Sequence, residues 1–169
     1  MSWPEGGKRL PLWDAIYNGD AVAAQKLLVT KAGADQVNTP HGLWQQTSVH
    51  VAVQHGHVKL LKHLVFTGAN VNARTINGST PLHLAVEINR RDIVQDLLLA
   101  GANPLLYNLS YHETVQFTGQ TPLQAAVSRG LNHIATLLRQ GLDSRQTLAS
   151  LETAAQQTAK RRQSLLSSK

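Results

Sequence analysis

The sequence predicts an all-α solenoid of stacked helix–turn–helix units, and three observations carry that prediction. A six-residue pattern recurs at a step near 33 residues, single glycines and leucines keep the same step, and apolar stripes of helical period lie between. Thr80-Pro81-Leu82-His83-Leu84-Ala85 is the fullest copy of the pattern, and Thr47-Ser48-Val49-His50-Val51-Ala52 stands 33 residues before it. Thr121-Pro122-Leu123-Gln124-Ala125-Ala126 follows, and Leu10-Pro11-Leu12-Trp13-Asp14-Ala15 opens the series. Gly68 and Gly101 keep the 33-residue step, as do Leu64 and Leu97. Such periods mark repeat arrays, in which each unit buries its apolar face only against its neighbours.

Each element of the unit has a physical reason. Thr before Pro offers an N-cap hydroxyl to the free amides of a first helical turn, and Pro at the first helical position already has the required φ. The small Ala of each pattern lets neighbouring helices approach. A break follows at Gly19, Gly56, Asn89 and Gly130, where the chain reverses. Glycine takes positive φ freely, and Asn is the residue that best replaces it. A second helix then shows its stripe in Leu60, Leu61, Leu64 and Val65, again in Ile93, Val94, Leu97 and Leu98, and again in Ile134, Leu137 and Leu138. Gly33, Gly68, Gly101 and Gly141 read as C-terminal caps of these second helices. Turn-forming pairs such as Asn77-Gly78 lead into the next pattern.

These residues resemble the ankyrin-repeat family, whose T-P-L-H-x-A signature Thr80–Ala85 matches at every specified position. The resemblance covers residues 8–142, with repeats at about 8–37, 38–74, 75–116 and 117–142. The central two match best, and the outer two are degenerate, as end repeats are when one face meets water. It implies an L-shaped solenoid whose β-turn fingers and first helices form a concave surface. Residues 143–169 read as a C-terminal capping helix and basic tail, with Leu148, Leu151, Ala155, Ala159 and Leu166 at helical spacing over 144–166. Lys160-Arg161-Arg162 lies near the end of that helix, where cations suit the dipole. A detached partner-binding helix and a basic localisation signal are the alternatives for this segment.

Composition narrows the function. The absence of cysteine excludes disulfides, thiolate catalysis and Cys-type zinc sites. No stretch approaches the roughly 20 apolar residues of a membrane span. Met1-Ser2-Trp3-Pro4-Glu5 lacks the basic and apolar regions of a secretory signal. The formal charge is +6, yet residues 1–142 carry eleven Lys/Arg against eight Asp/Glu, and half of the excess lies in the last 27 residues. A nucleic-acid partner is therefore not expected for the body. His50, His55, His57 and His63 crowd one repeat, but the family uses the positions of His50 and His83 for structural hydrogen bonds. No metal, cofactor or catalytic site is expected. Neither G-x-S-x-G nor a phosphate-cradling loop is present, and Gly6-Gly7-Lys8 reads as a flexible lead-in.

Individuality is expected where the period fails, because insertions in repeats map onto loops. Two residues are added in Val29-Thr30-Lys31-Ala32 and two in His41-Gly42-Leu43-Trp44-Gln45. Eight are added within 105–117, which holds Tyr107, Tyr111 and Phe117 of the eight aromatic residues in the chain. Aromatics that a solenoid core does not need are enriched at binding hot spots. They equally suit a longer hairpin with its own small core, just as Trp44 suits either an anchor or a plug between fingers. The resemblance also implies partner-facing positions at the ends of the first helices: Tyr17 and Asn18, Gln54 and His55, Glu87 and Ile88, Ser128 and Arg129. Tyr17 and Ile88 would supply apolar contact there. Asn70-Val71-Asn72 resembles the finger sequence used for asparaginyl hydroxylation in the family. The expectation is a cytoplasmic, monomeric, non-enzymatic adaptor or inhibitor that binds one protein partner, with a nuclear or host-cytosol location as alternatives. A nucleic-acid-associated subunit using Lys160, Arg161 and Arg162, and a self-associating structural protein, are the competing readings.

Overall fold

The structure is a computed structural model and describes residues 10–108, 119–146 and 153. The readings of Tyr111, Phe117, Leu148, Leu151, Ala155, Ala159, Lys160, Arg161, Arg162 and Leu166 fall outside these residues. Helices follow one another in pairs: α1 (Pro11–Tyr17) with α2 (Ala21–Leu28), α4 (Ser48–Gln54) with α5 (Val58–Phe66), and α6 (Pro81–Glu87) with α7 (Arg91–Leu99). α8 (Pro122–Ser128) precedes a helix described over 132–146, here α9, and a short α3 (Lys31–Gln36) follows α2. Successive first helices pack on one another, α1 on α4, α4 on α6 and α6 on α8, and α1, α4 and α6 each pack on the second helix of their own pair. The result is the all-α repeat array that the 33-residue step predicts.

The core runs along the array between the two helix layers. Leu12, Ile16, Val49, Ala52, Val53, Leu82, Ala85 and Val86 come from the first helices. Leu61, Leu64, Ile93, Val94, Leu97, Ile134 and Leu138 come from the second. Burying each such side chain contributes roughly 1.5–3 kcal/mol, which is how helices of only seven to nine residues persist. The reversals are left-handed where the sequence requires it: Gly19, Gly56 and Gly130 have φ near +70°, and Asn89 has φ of +53°. His57 lies over Gly19 and Arg90 over Gly56, so close that a Cβ on either glycine would sit 3.0 Å or 2.7 Å from them.

Two cap assignments are corrected. Gly68 and Gly101 do end their helices, at φ of +87° and +88°. Gly33 instead lies buried inside α3, where a Cβ would stand 2.0 Å from the Leu27 carbonyl oxygen. The insertion at 29–32 supplies a new N-cap, since the Thr30 hydroxyl accepts from the Gly33 amide at 3.1 Å. Gly141 lies within α9, which passes through it to residue 146. A Cβ there would meet Leu98 at 3.0 Å, so this glycine serves close helix approach and no chain reversal.

Candidate functional site

The surface of interest is built on a ladder that holds one repeat to the next. In α4 the backbone amide of Thr47 donates to His50 Nδ1 at 3.2 Å, and the Thr47 hydroxyl lies 2.9 Å from the same nitrogen. An amide only donates, so the imidazole proton sits on Nε2, and it is donated to the Ser79 carbonyl of the next finger at 3.2 Å. His83 repeats the arrangement with Thr80, and its Nε2 reaches the Gln120 carbonyl at 2.9 Å. Burial pushes His50 down to about 4, outweighing its bonds to backbone carbonyls. His83 is lowered by burial too, with the nearby Arg74 charge adding to it. Both are therefore neutral structural groups, as the resemblance implies.

Asparagines form a second tie. The Asn38 side chain accepts from the Asn70 amide at 2.7 Å and donates to the Gly68 carbonyl. Asn72 does the same one repeat later, with the Asn103 amide at 2.6 Å and the Gly101 carbonyl. The fingers join as well: the Ile76 amide donates to the Trp44 carbonyl at 3.0 Å, and Arg74 donates to the Tyr107 carbonyl. The first finger is closed by an antiparallel bridge between His41 and Gln46.

On this frame the first two repeats carry a row of rings. His41 meets Trp13 edge-on at 5.0 Å between centroids, Trp13 stacks on Tyr17 at 5.2 Å, and Tyr17 meets His55 edge-on at 4.9 Å. His55 then stacks on His57 at 5.8 Å. Trp13 occupies the pattern position held by His50 and His83, and in this first repeat the ring touches the next finger through His41. The row joins Tyr17 and His55, both read from the family positions, with Trp13, His41 and His57, which sequence reasoning did not assign to the face. Burial of the ring lowers His57, and the charge of His55 lowers it further. Tyr17 is 46% exposed, His55 is exposed, and Trp13 is buried beneath them.

The remaining positions are less alike. Asn18 is exposed at the end of α1, and exposed Gln54 accepts from the Gln46 side chain at 2.9 Å. Glu87 and Arg129 are brought together, with the Arg129 guanidinium 4.0 Å from the Glu87 carboxylate and donating to its backbone carbonyl. The Ser128 hydroxyl turns back to the Ala125 carbonyl. Ile88, the C-cap of α6, is half-buried and packed against the core. Trp44 and Tyr107 stand 58% and 54% exposed on their fingers, joined by exposed Leu43 and Ile76, whose fingertip places were a signal available in the sequence. Tyr111 and Phe117 lie outside the described residues. Among the described residues no three His, Asp or Glu side chains gather to hold a metal ion, and no helix is long and apolar enough to cross a membrane.

A family model for ankyrin repeats, in three copies, matches residues 12–108. The chain belongs to the ankyrin-repeat family. Ankyrin repeats are protein–protein interaction modules, and the family is generally non-enzymatic. Residues of the chain are 33% identical over 125 positions to human (Homo sapiens) SH3 and multiple ankyrin repeat domains protein 2, covering 74% of this chain and 6% of that protein. They are 33% identical over 114 positions to the mouse (Mus musculus) nuclear factor NF-kappa-B p105 subunit, covering 67% and 11%. Mouse ankyrin repeat and SOCS box protein 11 is 32% identical over 121 positions, covering 72% and 35%. The chain thus spans a small part of the first relatives and about a third of the last.

Proposed function

We propose that this ankyrin-repeat chain is a non-enzymatic adaptor or inhibitor that captures one protein partner across its first-helix ends and fingers. The ring row of the first two repeats carries the reading. Tyr17 and His55 offer a rigid, half-exposed aromatic surface backed by buried Trp13, and rigid aromatics contribute much contact at little cost in side-chain entropy. Trp44 and Tyr107 extend the apolar area along the fingers, while Asn18, Gln54, Glu87, Ser128 and Arg129 form the polar rim that interfaces carry. The face is poor in free cations, since Arg129 is turned onto Glu87 and Arg74 onto a backbone carbonyl. A polyanion would call for several.

Photo-crosslinking tests the assignment. A benzophenone side chain placed at Trp44 or at Gln54 is expected to trap the partner covalently, and one at Arg139 on α9 to trap none. Crosslinks at Arg139 alone would contradict the reading.

A further inference from the structure

Val29, Phe66 and Leu99 are each the tenth residue after a left-handed turn residue, Gly19, Gly56 and Asn89. Phe66 and Leu99 end α5 and α7, and Val29 is the C-cap of α2. All three are almost wholly exposed, at 89%, 91% and 80%. Equivalent positions in stacked repeats fall in a row across the second helices, and packed neighbouring helices lie about 8–10 Å apart. Between α5 and α7 the row borders a groove of about 250 Å³ lined by Leu61, Lys62, Val65, Asp96, Leu99 and Ala100. The row ends at the fourth repeat, where the tenth residue is Gln140.

Cations outnumber carboxylates on the helices around this row. α2 and α5 carry Lys26, Lys59 and Lys62 and no carboxylate. Lys62 is paired with Asp96 at 3.4 Å at the groove, whereas Lys26 and Lys59 have no ion pair among the described residues. On α7 both acidic groups are held, Asp96 by Lys62 and Asp92 by Arg90, and the short α3 beside Val29 adds Lys31 and Asp35, one charge of each sign.

We propose that this row is a second docking surface, and that its occupant is an acidic amphipathic helix of another protein laid across α2, α5 and α7. Seven helical residues rise about 10.5 Å, close to the step from one second helix to the next. Apolar side chains at every seventh position therefore meet Val29, Phe66 and the Leu99 groove in turn, and flanking carboxylates meet Lys26 and Lys59. An anionic bilayer shares the charge preference, but a row one residue wide gives it three side chains and makes no use of the groove. The surface lies on the second helices and is separate from the Tyr17 and Trp44 face.

The test uses the full chain and a stapled helical peptide with leucine at every seventh position and glutamate beside each. Fluorescence anisotropy is expected to show binding that weakens with added salt. Affinity is expected to fall at least about tenfold in Phe66→Ser/Leu99→Ser, the scale of an interface hot spot, and to fall in Lys59→Glu. Tyr17→Ala should leave it unchanged. Exposed positions tolerate these changes, so unfolding midpoints serve as the folding control. No binding of the glutamate peptide, equal binding by the double variant, or equal binding of a lysine-flanked peptide would each overturn the proposal. So would binding of phosphatidylserine–phosphatidylcholine vesicles in place of the peptide.

Discussion

Among the described residues α4 and α6 each pack between two other first helices, whereas α8 packs on one, α6, and the same sequence positions show the difference. Val53 and Val86 are fully buried, yet Val127 at the equivalent place in α8 is 51% exposed. His50 and His83 reach a carbonyl of the following finger, but the fourth repeat has Gln124 there. Gln124 still accepts from the Thr121 amide at 2.9 Å, and so keeps the local cap while giving up the reach across repeats. An array of this kind divides each position into a local duty and a neighbour duty, and in α8 the described residues show the first kept without the second.

The largest effect expected from this contrast is at His50. His50→Ala leaves a buried cavity and an unmet Ser79 carbonyl, and should cost about 3 kcal/mol in urea unfolding. Gln124→Ala, which removes only a cap, should cost about 1 kcal/mol or less. Equal costs would erase the distinction between inner and outer repeats.

Acid should act on the same inner ties. His50 has a folded value of about 4 against 6.5 in the unfolded chain, so between these limits the unfolded state takes up a proton that the folded state refuses. Stability is complete above pH 6.5 and is lost as pH falls toward 4, by on the order of 3 kcal/mol from His50, with a loss of the same sign from His83. The measurement is the urea midpoint at pH 7.5 and pH 4.5. A glutamine at position 50 should flatten most of that dependence.

Val53→Ala should cost about 2 kcal/mol, and Val127→Ala within about 0.5 kcal/mol of nothing, as for ordinary surface positions. Similar values for the pair would mean that the end of the array is covered as fully as its middle.

Much of this was legible in the sequence because repetition states each local rule several times. Asn89 standing where Gly19, Gly56 and Gly130 stand announces a left-handed residue, and it has φ of +53°. Gly33 and Gly141 were misread for a physical reason. The missing side chain that frees φ also permits close helix approach, and one letter cannot say which use is made of it. Thr30, followed by helix formers, was the available sign of α3. The candidate face was legible by parts: position in the repeat picks out Tyr17 and His55, whereas the ring row needs Trp13 and His41 to meet across a 28-residue separation.

The most direct test of the account is quantitative capture of the protein partner by Tyr17→Ala/Trp44→Ala/Tyr107→Ala beside the intact chain, with thermal unfolding of both. The account predicts at least a tenfold loss of capture, about 1.4 kcal/mol or more, with an unfolding midpoint within about 3 °C of the intact chain. Undiminished capture by the folded triple variant would contradict it.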